Sequence, residues 1–297
     1  MTDRRRKEFD PREFFHGEKA FPRKSLGQNF IKDRRVIDRI VESAELSADD
    51  CVLEIGPGMG ALTPALAEKS GRVIAVEKDE RVIAPLLKLL DPYPNTEVVR
   101  ADCLKLDFRD FYSGKKLKAV SNLPYSISTP VLIKLLGDRD IFSSLVLMLQ
   151  LEVGQRIIAR PGGRQYGSLS VLIQTYMDVK ILFRVPPSAF WPKPKVDSVV
   201  LKFVPLPGPR VPLSDERIHE RVLRAAFSSR RKMLGNSLRS LLPKEAAESV
   251  LAACGIDRSR RAETLPIGEF GLLANEVARS HKAELTPDLS LSPTTVW

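Results

Sequence analysis

Four short stretches of this chain carry residue types able to grip and activate a ligand. Asn122-Leu123-Pro124-Tyr125 follows an apolar run that reads as a strand. It is a poor strand and a poor helix itself, because proline lacks a donor and restricts the residue before it. It offers an amide, backbone carbonyls and an aromatic ring, which together suit a flat, polar molecule. Upstream, GPGMG at 56–60 lies where one strand should hand over to a helix, Glu77 closes the next strand, and Asp102 follows the third.

Gly56, Gly58 and Gly60 permit a tight turn and close approach of a ligand, and amides opening the following helix offer donors. The spacing is G-x-G-x-G rather than the G-x-G-x-x-G of dinucleotide folds. Glu77 is placed to accept from a ribose diol, or is a solvated strand-end acid. Asp102 is placed to accept from an adenine amine, or caps the next segment. Glu54, inside the strand before the glycines, is costly if buried alone and so calls for a partner such as a ligand ammonium group. The set describes a pocket for an adenosine-bearing molecule.

An adenine amino nitrogen is a weak nucleophile because its lone pair is drawn into the ring. Acceptors around its two hydrogens would orient it toward a methyl donor and stabilise the charge that develops. The Asn122 side-chain oxygen and the Leu123 carbonyl, held by Pro124, are such acceptors, and Tyr125 can stack on the base. The plainer reading is a strand-ending turn. A paired base hides this edge, so the target would be unpaired or flipped out. In PSAFWPKPKVDSV, Phe190 could close over the base or belong to a core, and Lys193 and Lys195 could meet phosphates. Arg224, Arg230, Arg231, Lys232 and Arg239 form a second basic cluster. They read as RNA-facing, or as the wet face of a helix.

The elements that must hold these residues follow from periodicity. Apolar positions at helical spacing give a helix over 33–44, then strands at 51–56, 72–77, 96–102 and 117–123 alternate with helices over 61–69, 80–90 and 130–136. Further strands are expected at 143–151, 180–185 and 196–204, with helical segments near 155–160 and 167–176. This predicts an α/β, doubly wound, mostly parallel sheet with a late antiparallel strand. The proposed division is an irregular basic arm at 1–22, a catalytic domain at 23–206 and a proline-rich linker at 207–215. A helical domain at 216–280, with one helix running from Glu216 to Leu242, and a loose tail at 281–297 complete it.

The chain has 297 residues with 47 Lys and Arg against 37 Asp and Glu, a formal charge of +10 that favours a polyanionic partner. Cys51, Cys103 and Cys254 are far apart, as are His16, His219 and His281, so neither a thiol redox motif nor a metal site is expected. No run approaches the ~20 apolar residues that span a bilayer, and no secretory signal is expected.

With these motifs in order, the sequence resembles the ribosomal RNA adenine N6-dimethyltransferase family. The likeness runs from about Phe21 through the helical segments. It rests on KSLGQNFIKD (24–33), LEIGPGMGALT (53–63), VEKD (76–79), NLPY, LQLEVGQRI (from 150), PPSAFWPKPKVDSVV (186–200) and RRKML (230–234). The resemblance implies a Rossmann-like class I methyltransferase with a seven-stranded sheet and a small helical C-terminal domain. It implies S-adenosyl-L-methionine as cofactor, with Gln28, Asn29 and Phe30 opening its pocket and Gly56 to Gly60 around its amino-acid part. Glu77 and Lys78 would lie at the ribose, and Asp102 and Cys103 at the adenine. Residues 122–125 would present the target nitrogen, and Phe190 would help stack the base. The implied substrate is 16S ribosomal RNA in an immature small subunit, dimethylated at two adjacent adenosines near its 3′ end. The implied enzyme is a monomer in the cytoplasm or an organelle, using neither metal nor membrane. Competing readings are a large-subunit RNA methyltransferase, a DNA adenine methyltransferase, a nicotinamide-dependent dehydrogenase and a noncatalytic RNA-binding assembly or transcription factor.

Overall fold

The computed structural model describes residues 27–281. The arm at 1–22, the first residues of KSLGQNF and the tail after His281 lie outside them. In chain order the elements are β1 (Phe30–Ile31), α1 (Arg34–Ser43), β2 (Cys51–Ile55), α2 (Thr63–Ala67), β3 (Arg72–Glu77), α3 (Glu80–Leu90), β4 (Thr96–Arg100), β5 (Leu117–Asn122), α4 (Ser128–Gly137) and β6 (Phe142–Gln150). There follow α5 (Leu151–Ile157), α6 (Ser168–Tyr176), β7 (Met177–Val185), β8 (Phe190–Trp191), β9 (Ser198–Pro205), α7 (Glu216–Ala226), α8 (Leu234–Ser237), α9 (Lys244–Ala253) and α10 (Ile267–His281). Among the described residues no helix is long and apolar enough to cross a membrane.

Local chemistry sets the boundaries. Asp33 caps α1 by accepting from the Arg35 amide at 3.0 Å, and the helix buries Val36, Ile37, Ile40 and Val41 on one face. Asp215 caps α7 in the same way, accepting from the amides of Arg217 and Ile218.

The chain divides into two compact units, Met1–Leu151 with Lys180–Val204, and Glu152–Val179 with Pro205–Trp297. The first holds a seven-stranded sheet in the order β4-β3-β2-β5-β6-β9-β7. The pairs β3/β4, β2/β3, β2/β5 and β5/β6 are parallel, and β6/β9 is antiparallel. The central strands are mostly apolar because both their faces are covered. Strand order reverses between β2 and β5, and such a switch point leaves a crevice beyond the carboxyl ends of the strands. GPGMG leaves β2 there, and Leu123-Pro124-Tyr125 leaves β5. The Ser121 hydroxyl accepts from the Ile55 amide at 2.8 Å and locks the two ends side by side.

Three features depart from the sequence expectation. A two-stranded antiparallel ribbon pairs Phe30 with Trp191 and Ile31 with Phe190. At two residues per strand, it is too short for a periodicity to register. The expected helix 216–242 stops at Ala226. The backbone near 234 is held elsewhere, since the amides of Leu234 and Gly235 donate to the carbonyls of Arg260 (2.7 Å) and Arg258 (3.1 Å). The basic run Arg230-Arg231-Lys232 therefore sits on a connection rather than a helix face. Finally, residues 152–179, read as part of the 23–206 domain, cluster with the helical unit.

Candidate active site

The crevice at the switch point is a cleft of about 880 Å³, counted to its open mouth. Its wall includes Gln28, Asn29, Phe30, Glu54, Gly56, Gly58, Glu77, Lys78, Asp102, Cys103 and all four residues of Asn122–Tyr125. Thus the motif after β5, the glycine turn after β2 and the acids after β3 and β4 share one cavity.

Gly58 is confined to this role. Its φ is +57°, and a Cβ there would meet the Phe30 ring at 2.8 Å. The Gly58 amide donates to Glu77 Oε2 at 2.9 Å, while Glu77 Oε1 accepts from the amides of Lys78 (2.8 Å) and Asp79 (2.7 Å). These bonds fix the carboxylate at the strand end. Burial raises its pKa against their opposing pull.

Glu54 is fully buried, and its Oε2 has no hydrogen-bond partner. Burial raises its carboxyl to about 8, the Thr63 hydroxyl pulls the other way, and nearby Glu77 adds to the rise. The Glu54 acid is thus mostly protonated at pH 7. Asp102 accepts from Lys78 Nζ at 2.8 Å and from the Leu104 amide at 3.1 Å. The lysine bond holds its carboxyl below the usual range. Cys103 is buried, which pushes its thiol up to about 11 with help from Asp102 and Glu77. Such a thiol is a wall, not a nucleophile.

At the other side of the cleft, Asn122 Nδ2 donates to the Asn29 carbonyl at 3.0 Å. That bond fixes which way the amide faces. Its Oδ1 is buried and has no hydrogen-bond partner. The Tyr125 hydroxyl and Ser198 Oγ lie 2.5 Å apart, which anchors the ring's far end.

Two expected residues stand apart. Gly60 does not line the cleft, since its Cα faces Leu86 and Leu89 of α3. Phe190 is 1% exposed and packs with Ile31, Val36, Ile40, Ala189 and Val200 in the core. Phe190 also pairs through its backbone with Ile31 of β1, whose side chain belongs to the same core cluster. Lys193, Lys195, Arg230, Arg231, Lys232 and Arg239 are exposed, and Arg224 is half-buried.

Asp79 and Ser198 were not singled out from sequence. Asp79 accepts from Gln28 Nε2 at 2.7 Å and from Arg81. Burial raises its pKa, but these bonds outweigh it and leave the carboxyl low. The signal for each lay inside a quoted motif, VEKD and VDSVV, where a polar residue flanks a buried strand.

Residues 21–279 match the family described as Ribosomal RNA adenine dimethylase. The chain is 47% identical over 264 residues to Ribosomal RNA small subunit methyltransferase A of Geobacter metallireducens, covering 87% of this chain and 96% of that one. It is 49% identical over 257 residues to the protein of the same name from Geobacter sulfurreducens, covering 84% and 93%. Among solved structures, a dimethyladenosine transferase from Plasmodium falciparum superposes with a TM-score of 0.71 at 28% identity, covering 84% of this chain and 98% of that one. The 23S rRNA methyltransferase ErmE gives 0.62 at 27% identity, covering 83% and 98%. With a profile matched over nearly its whole described length, a class I sheet and one cleft gathering the motif residues, this chain belongs to the ribosomal RNA adenine dimethylase family.

Proposed function

We propose that this protein transfers methyl groups from S-adenosyl-L-methionine to N6 of two adjacent adenosines near the 3′ end of small-subunit (16S) ribosomal RNA, dimethylating each. One observation carries the reading: Asn122 lines the cleft, its amide nitrogen is taken up by the Asn29 carbonyl, and its buried Oδ1 is left without a partner. A buried acceptor with no partner is costly, so the site is built for a donor that arrives with the substrate. An adenine amino group is such a donor.

The cleft fits the methyl donor. Glu54 offers an orphaned carboxyl for an ammonium group, Gly56 and Gly58 let the turn pack tightly against Pro124 and Phe30 of the cleft wall, and Glu77 and Asp102 keep spare lone pairs for hydroxyl and amine donors. When bound, the cofactor supplies an electrophilic methyl group on a sulfonium. Asn122 Oδ1 and the Leu123 carbonyl accept the two amino hydrogens, which aligns the nitrogen lone pair and favours the charge that grows on it. Pro124 restricts the backbone at that carbonyl, and Tyr125 offers a ring face to the base.

The small-subunit assignment is supported by the relatives at 47% and 49% identity, which carry that name, against 27% for the large-subunit enzyme. We extend the proposal to an immature small subunit as substrate, met by a monomer in the cytoplasm through the basic residues of 193–195 and 216–280. The test is incubation with undermethylated small subunits and labelled methyl donor, followed by mass mapping. Two neighbouring adenosines near the RNA 3′ end should each gain two methyl groups. Label on a large-subunit adenosine, or none on either RNA, would refute the assignment.

A further inference from the structure

The second unit carries a depression that shares no residue with the reaction cleft. Its open volume is about 2420 Å³, against about 880 Å³ for that cleft. Five arginines line it: Arg156, Arg160, Arg164, Arg224 and Arg230, with Glu152 as the lone carboxylate of the lining. The first three come from α5 and the turn after it, where arginine recurs at every fourth residue.

The backbone under these charges is pinned. Ser170 Oγ donates to the Arg156 carbonyl at 2.5 Å, and Gln174 Nε2 donates to the carbonyls of Ile157 (2.8 Å) and Ala159 (2.9 Å). The Gly162 amide donates to the Glu263 carbonyl at 2.7 Å, and the Tyr166 hydroxyl donates to the Leu265 carbonyl at 2.9 Å. The Tyr166 ring meets Phe227 edge-on at 6.1 Å, and Phe227 packs on Phe270 at 5.4 Å. Arg230 reaches the Arg164 carbonyl and, at 3.4 Å, Glu263. The guanidinium groups of Arg156, Arg160 and Arg164 have no ion-pair partner among the described residues. A fixed concave wall with this surplus of one sign repels itself and concentrates anions.

We infer that this depression holds consecutive phosphates of an RNA strand, with Arg160 and Arg164 as the outer contacts and Arg156 beneath them. Guanidinium forks match phosphate oxygens in pairs, and an RNA strand carries one such charge at every nucleotide. The inference deepens the proposed function by naming a backbone-holding site in the helical unit. It rests on that reading only for the identity of the RNA.

The experiment uses the full chain, a labelled RNA hairpin with a single-stranded tail, and a salt series. R160A/R164A should weaken binding about tenfold and lower the slope of log Kd against log salt by about 1.4 to 1.8, the loss of two phosphate contacts. R160K/R164K should keep the slope, which separates charge from fold. Cofactor affinity should match the parent in both variants. An unchanged salt slope in R160A/R164A, or tighter binding of polyglutamate than of the RNA, would overturn the inference. Methyl transfer by the parent is read separately. Parent activity with an unchanged slope overturns the depression alone, and a lost slope without parent activity overturns only the substrate assignment.

Discussion

The phenolic oxygen of Tyr125 and the hydroxyl of Ser198 sit 2.5 Å apart, and Ser198 is wholly buried. Tyr125 ends the motif after β5, while Ser198 opens β9, 73 residues later. The bond ties a side chain of the cleft wall to the antiparallel strand of the same sheet. Burial raises the Tyr125 pKa, with the Ser198 bond opposing it, so the phenol stays protonated at neutral pH.

Ser198→Ala removes that partner and leaves a half-buried phenol without it. The expected cost is about 1–3 kcal/mol of stability in denaturant unfolding. Tyr125→Phe strands the wholly buried Ser198 hydroxyl and should cost at least as much, and the double variant should cost less than the sum of the two. Strict additivity in this cycle would show that the two hydroxyls do not act on each other.

Asn122→Ala should lower kcat by about 100-fold to 1000-fold, the scale seen when one preorganised polar contact to a developing charge is lost. The cofactor Kd should move by less than about threefold, because Asn122 is assigned to the target base. The two are separated by single-turnover methyl transfer and by cofactor titration. Normal turnover would remove Asn122 from the reaction.

Glu54 links cofactor binding to pH. Its carboxyl rises from an ordinary 4.5 to about 8 on folding. The folded state therefore keeps a proton that the unfolded state loses. This contribution to stability is full below about 4.5 and is lost as pH rises through about 8. Glu54→Gln should flatten that dependence. In the parent, pairing with the cofactor ammonium ionises the acid, so binding near pH 7 should release a proton. Calorimetry in buffers of different ionisation enthalpy reads this directly, and Glu54→Gln should abolish it. Equal proton release by the variant would place the ammonium elsewhere.

Phe190→Ala should destabilise the protein by about 3–5 kcal/mol, since the ring fills the core beneath the β1–β8 ribbon. Phe190→Leu should recover most of that stability. If Phe190→Ala leaves the unfolding midpoint unchanged, the ring is not a core element and its place is over the substrate base.

Much of this architecture is legible in the sequence. The strands at 51–55, 72–77 and 117–122 are predominantly apolar, and the glycine turn and Asn122–Tyr125 each break such a run abruptly. Long-range pairing was less visible. Nothing local to Phe190 distinguishes a ring that stacks on a base from one that pairs through its backbone with Ile31, 159 positions earlier. Gly60 looked equivalent to Gly56 and Gly58, yet its surroundings are leucines of α3. The helix expected through 242 failed for the same reason: the bonds from Leu234 and Gly235 to Arg260 and Arg258 form with residues distant in sequence. The arginines at 156, 160 and 164 gained meaning only when the fold set them beside Arg224 and Arg230.

The sheet order also constrains how the molecule is made. Among the described residues β9 is the last strand in the chain, yet it lies between β6 and β7, which precede it. Until position 205 has left the ribosome, β6 presents a long apolar border with unsatisfied amides and carbonyls. The nascent chain thus passes through a stage prone to sticking to its neighbours, closed only when its final strand slots into the gap.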